Sequence, residues 1–278
     1  MRLEDESAPL REAVPAEYAD IVVAVTELGS VTTLMMLLAV LFWWHDRRRS
    51  ALVISYAVAG LAVLLSVETL LGLPRPPEDV WIASIEVDGY GFPSGHAFAA
   101  AVVYGGLVSA YDRGRDWRAL LGAGTVVALV SLSRVVLGVH YLGDVLVGAG
   151  LGIAFVVLMD RLTRGAPTVG FAIALVLAVP AVYVTGAAPD ALLGLGGAIG
   201  GVLVAGRIDR LPDLRSRLEA VVLLAVGGAI AVVVQVVETL VTFAPVLVAL
   251  YAVLVAWVFL APAVVSLLET AVRESRVA

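Results

Sequence analysis

Residues 119–159 read ALLGAGTVVALVSLSRVVLGVHYLGDVLVGAGLGIAFVVLM. Two apolar runs flank a short polar insert, and each run is long enough to cross roughly 30 Å of hydrocarbon as a helix. The insert holds Ser133, Arg134, His140 and Asp144 in the spacing Ser-Arg-x5-His-x3-Asp. Ionisable groups between two such runs must sit at a membrane face or be paired inside it. This stretch therefore sets both the fold class, an all-α polytopic membrane bundle, and the place to look for chemistry.

Comparable runs lie on both sides. Upstream the sequence predicts spans over Ile21–Trp44, Ala51–Leu73 and Gly95–Tyr111, and downstream over Val169–Gly186, Ala191–Gly206, Leu218–Leu240 and Val246–Leu268. With Ala119–Val136 and Tyr141–Met159 that makes about nine. The composition agrees: 61% of the 278 residues are hydrophobic and the mean hydropathy is +1.00, too little polar surface for a soluble domain of this size. The first 20 residues are acidic and the run after them is too long for a signal-peptide core, so the expectation is a retained span rather than a cleaved leader.

All 18 basic residues are arginine and there is no cysteine, which excludes thiolate chemistry, disulfides and cysteine-ligated zinc. The net charge of -6 argues against nucleic acid as a partner. The arginine clusters at 47–49, 113–118, 161–164, 207–217 and 273–276 each follow an odd-numbered span and hold 14 of the 18 arginines. The positive-inside rule then places these loops in the cytoplasm, with residues 1–20 as an extracytoplasmic tail and the C-terminus inside. Arg2 and Arg11 fall in that tail. Arg75 and Arg134 fall at outer span ends, where the rule gives them no reason to be. Snorkelling is the bland explanation for either, and a functional partner is the other. Gly196/Gly200 and Gly197/Gly201 suit close helix packing within the chain.

Of three histidines, His45 lies beside the cytoplasmic arginines, while His96 and His140 fall at the predicted outer face. His140 and Asp144 are four apart, so on a helix they would share a face. A carboxylate on one imidazole nitrogen would fix the tautomer and leave the other nitrogen nucleophilic. Arg75 and Arg134 can each offer a planar fork to phosphate oxygens. Backbone N–H groups at Ser94-Gly95-His96 open a helix and favour an anion, and His96 could protonate a leaving oxygen. Singly, an outer-face histidine is commonly interfacial and Asp144 could be only a helix cap. Zinc on His96, His140 and Asp144 is disfavoured because two nearby arginines would repel it.

With Pro93-Ser94-Gly95-His96 and Ser133-Arg134-x5-His140-x3-Asp144 both intact, the sequence resembles the type-2 phosphatidic acid phosphatase superfamily, membrane lipid phosphatases related to vanadium haloperoxidases. A third family motif, Lys-x6-Arg-Pro, is partial: Arg75-Pro76 are present, but Glu68 stands where the lysine belongs. The resemblance covers about residues 51 to 160, so the catalytic core is expected within 21–160 and residues 169–278 receive no role from it. It implies His140 as the nucleophile forming a phosphohistidine, Asp144 orienting it, His96 as acid, and Arg75, Arg134, Ser94 and Gly95 as phosphate binders. It also implies no metal and no organic cofactor.

The implied activity is metal-independent hydrolysis of a lipid phosphate or diphosphate ester at the extracytoplasmic face. A phosphotransferase using the same intermediate with an alcohol acceptor is the alternative, with the loop from Pro77 to Phe92 as a possible acceptor site. A non-enzymatic lipid or ion transporter built on Glu27, Glu68 and Glu238 is a third. Glu68 itself admits three readings: it pairs with Arg75 or Arg134, which is preferred; it is protonated and donates; or the site is weakened or retuned. Neither the lipid nor the oligomeric state is legible here.

Overall fold

The computed structural model describes residues 2–82, 89–212 and 217–277. Residues 83–88 of the outer loop, and Arg215 of the fourth arginine cluster, lie outside these. The described residues form eleven α-helices and no strand. In order they are α1 (Glu4–Glu12), α2 (Ala19–Thr26), α3 (Val31–Trp44), α4 (Arg47–Leu71), α5 (Gly95–Ala110), α6 (Trp117–Val136), α7 (Leu142–Thr163), α8 (Pro167–Val184), α9 (Pro189–Ala205), α10 (Arg217–Leu240) and α11 (Ala244–Val277).

Among the described residues, six helices are long and apolar enough to span a membrane: α4, α6, α7, α8, residues 221–240 of α10 and residues 244–265 of α11. The expected count of nine is therefore not reproduced as nine full-length spans. The helices α5 and α9 are apolar but shorter. The first expected span is broken: α2 and α3 meet at 53° across a 3-10 turn, Glu27–Gly29, and an extended Ser30. The hydroxyl of Ser30 donates to the Glu27 carbonyl and accepts from the Thr33 N–H, so a local side-chain cap replaces the helical bonds at the break. In α6 and α7 the exposed side chains include Leu120, Leu121, Leu132, Leu146, Ile153 and Leu158. Helices whose outer faces are this apolar are built for lipid, where the backbone must satisfy itself internally.

The chain divides into two compact units. One comprises residues 1–35 and 60–164, the other 36–59 and 165–278. In the first, α7 lies against α5 through Gly148 and Gly152. A Cβ at Gly148 would come 2.6 Å from the Ser94 carbonyl oxygen, and one at Gly152 would come 2.8 Å from that of Phe98. Only hydrogen fits at this crossing, the usual reason for small residues four apart in membrane helices. In the second unit α9 packs on α11 in the same way. A Cβ at Gly196 would meet the Val248 carbonyl at 2.5 Å, one at Gly200 would collide with the Ala252 carbonyl, and one at Gly201 with the Phe171 ring. Both glycine pairs seen in the sequence are thus used inside the chain. Phe259 completes that packing with edge-on contacts to Phe42 and Phe171.

Candidate active site

All the residues singled out in the three motifs lie in the first unit. His140 sits in the turn between α6 and α7, not on a helix with Asp144. Gly138, at a φ of 80° that suits glycine, reverses the chain there, and a Cβ on it would overlap the Val80 carbonyl. The buried imidazole is held at both nitrogens: Nδ1 lies 2.9 Å from the Gly91 carbonyl oxygen and Nε2 lies 2.8 Å from Nη1 of Arg75. A carbonyl can only accept, so Nδ1 carries the proton and Nε2 offers its lone pair toward Arg75.

The expected His140–Asp144 pair is looser than the sequence suggests. Nδ1 of His140 lies 3.7 Å from Oδ2 of Asp144, beyond a direct hydrogen bond. Asp144 is occupied elsewhere. It accepts from the Tyr141 N–H at 2.8 Å, capping the start of α7, and its two oxygens take Nε and Nη2 of Arg2 at 2.7 and 2.8 Å. The helix-cap reading of Asp144 thus holds alongside its position next to His140. Burial, before any neighbouring charge, pushes the His140 imidazole down to about 4. Arg75 and Arg134 act in the same direction, while Asp144 and the Gly91 carbonyl oppose it. The ring is therefore neutral at physiological pH.

The other motif residues surround this ring. Ser94 precedes α5 and donates its N–H to the Asp144 carbonyl at 3.0 Å, tying the second motif to the third. Its hydroxyl is fully buried, caps nothing, and has no hydrogen-bond partner. Gly95 lies close beneath α4: a Cβ there would come 3.2 Å from Leu64 and 3.6 Å from Oε1 of Glu68. That contact places the half-buried Glu68 carboxylate over the first turn of α5. His96 lies close enough to Arg134, His140 and Arg75 to feel each electrostatically. Arg134 is 4% exposed and donates Nη1 to the Thr26 hydroxyl at 3.2 Å, while its Nε is buried without a partner.

Three participants escaped the sequence reading. Gly91 supplies the acceptor for His140, Thr26 receives Arg134 from the broken first span, and Arg2 takes Asp144. Arg2 shared with Arg11 the one available signal, a basic residue in an acidic tail.

The arrangement gathers two guanidinium groups, two imidazoles and an unpartnered hydroxyl. Nε of Arg134 and Oγ of Ser94 carry the cost of buried, unbonded polar groups.

Residues 51–166 match the PAP2 superfamily. A similar solved structure is the first transmembrane PAP2 type phosphatidylglycerolphosphate phosphatase from Bacillus subtilis. It has 23% sequence identity and a TM-score of 0.49, covering 58% of this chain and 84% of that one. No curated protein matches. Over residues 51–166 this multi-pass helical membrane protein is similar to the PAP2 superfamily, the family that its motifs resemble.

Proposed function

We propose that the protein is a lipid phosphate phosphatase that cleaves a phosphate or diphosphate ester through a phosphohistidine on His140. The observation that carries this reading is the 2.8 Å approach of Arg75 to Nε2 of His140, beside the unpartnered Arg134 Nε and Ser94 Oγ. A nucleophile and an anion cradle are needed within one ester's reach of each other, and these groups supply both.

In the proposed cycle Arg75 moves from Nε2 onto the phosphoryl oxygens, which Arg134, Ser94 and the start of α5 also bind. The Nε2 lone pair attacks phosphorus while the Gly91 carbonyl holds the Nδ1 proton. The phosphorus–oxygen ester bond breaks, and His96, entering the cycle as an imidazolium with the proton that the anionic phosphate brings to it, gives that proton to the departing oxygen. Water then attacks the phosphohistidine, returns a proton to His96, and releases phosphate. No step calls for a metal or an organic cofactor. The substrate class is a lipid whose tail stays in the bilayer while its head group meets the arginines. Residues 21–160 form the catalytic core in this reading, with 169–278 as accessory helices. The arginine distribution supports an extracytoplasmic site, N-terminus outside and C-terminus in the cytoplasm.

The test is phosphate release from a panel of lipid phosphates and diphosphates, comparing wild type with His140→Ala. Release by the wild type that the substitution abolishes is the expected result. No release on any substrate, or release that the substitution leaves untouched, sinks the reading. Counting free phosphate against phosphorylated alcohol in the same assay separates hydrolysis from transfer.

A further inference from the structure

The segment before α2 reaches the site by a route outside the motifs. The Arg2 guanidinium bonds both oxygens of Asp144, and its Nη1 donates to the Pro74 carbonyl at 2.7 Å. Its central carbon lies 4.7 Å from the centre of the Tyr141 ring, within cation–π range. The Arg2 carbonyl accepts from the Gly143 N–H at 2.9 Å. Two glycines leave room for it: a Cβ at Gly143 would lie 2.7 Å from the Arg2 carbonyl oxygen, and one at Gly91 would lie 2.7 Å from Nη2.

Helix α1 anchors the segment. The fully buried Ser7 hydroxyl accepts from the Leu142 N–H at 2.8 Å and donates to the Leu3 carbonyl at 2.6 Å. Leu10 packs against Ala97, Val135 and Val145. One guanidinium therefore binds the residue before Arg75, lies against the residue that holds His140, and saturates the carboxylate of the third motif.

We infer that Arg2 is a positioning residue of the phosphatase site, an inference that rests on the hydrolase reading above. Its bidentate grip satisfies Asp144 and fixes its plane. The carboxylate then stays 3.7 Å from Nδ1, and His140 keeps the Gly91 carbonyl as its acceptor with Nε2 facing the phosphate site. Removing the guanidinium leaves a buried carboxylate short of partners. It turns to the nearest donor, Nδ1 of His140, and draws the ring from its line of attack. The loss of the Pro74 bond loosens the backbone beside Arg75 as well. The consequence falls on turnover more than on binding.

The test uses the full chain in detergent with dioctanoyl phosphatidic acid as the probe, comparing wild type, Arg2→Ala, Arg2→Lys and Arg11→Ala. Arg2→Ala should lower kcat about ten- to hundredfold with KM within about threefold, the scale of a small misplacement of reacting groups. Millimolar methylguanidinium should restore part of that kcat, Arg2→Lys should retain an intermediate rate, and Arg11→Ala should match wild type. Affinity for inorganic phosphate, a ground-state ligand, should stay within about threefold of wild type in Arg2→Ala, while orthovanadate, which engages the nucleophile as a transition-state analogue, should weaken along with kcat.

A merely structural role would not respond to methylguanidinium. Leu10→Ala, which loosens α1 but keeps Arg2, provides the comparison for thermal stability. Wild-type or faster kcat in Arg2→Ala overturns the inference. So does a loss that methylguanidinium does not repair and that Leu10→Ala reproduces at equal stability. A wild-type chain that neither releases phosphate nor binds orthovanadate removes the hydrolase reading, and the role of Arg2 with it. An active wild type with an indifferent Arg2→Ala removes the role of Arg2 alone.

Discussion

Glu68 is the residue on which the strength of the site turns. Its carboxylate lies near the opening turn of α5, whose N-terminal end otherwise favours an anion. In the proposed cycle a negative charge there would oppose the incoming phosphate. Glu68→Lys should therefore lower KM for a phosphate ester about threefold or more, given the modest worth of a half-exposed charge. An unchanged or higher KM would show that the carboxylate serves the site instead. His140 makes a second prediction. Its folded-state value of about 4 lies below the ordinary imidazole value near 6.5, so an unfolded chain takes up its proton first as pH falls. The neutral ring's contribution is complete above pH about 6.5 and is lost between there and about 4, amounting to about 3 kcal/mol. Thermal unfolding in detergent should fall over that window, and His140→Asn should flatten the fall. At this scale the motif residues were legible because their chemistry is carried by side-chain type and spacing. Gly91 was not, because its contribution is a backbone carbonyl that any residue possesses. Asp144 was half legible: the spacing of four placed it near His140, but the turn at Gly138 put His140 off the helix and Arg2 drew the carboxylate away.

The elements that aim these side chains are α5 and α7, and their contact depends on glycine. Gly148→Val would drive a side chain into the Ser94 carbonyl, where even the first carbon would lie 2.6 Å away. Overpacking of this kind usually costs about 1–3 kcal/mol, and here the strain lands on the second motif. The expected outcome is a lower unfolding temperature together with loss of phosphatase activity. By contrast Gly124→Ala, where a Cβ would meet nothing within 4 Å, should leave both unchanged. A normal Gly148→Val enzyme would mean that the α5–α7 crossing does not set the site. The long apolar helices were readable from hydropathy alone. The break between α2 and α3 was not, since no proline marks it and both halves are apolar. What holds the break is the hydroxyl of Ser30, and its use becomes visible only with Thr26 seated on Arg134.

For the whole molecule, orientation and metal use make the distinguishing predictions. The absence of native cysteine allows single cysteines to report sidedness. Asp79→Cys, exposed in the loop that follows Arg75, should react with an impermeant maleimide from outside intact cells, and Gly114→Cys should react only after lysis. The reverse pattern would move the site to the cytoplasm. Activity should survive excess EDTA, because histidine and arginine supply the nucleophile and the charge; a loss restored by a divalent cation would contradict that. The number of full-length spans was less legible than their existence, because α5 and α9 are too short to be counted by length and apolarity. If phosphate passes through His140, a single-turnover reaction with a lipid phosphate radiolabelled in its phosphoryl group, quenched in alkali, traps it there. An alkali-stable, acid-labile label should appear on the peptide containing His140, rising and decaying with product formation, and none should appear in His140→Ala. Label on another residue, or first-turnover product without label while His140→Ala keeps the wild-type rate, would contradict passage through His140.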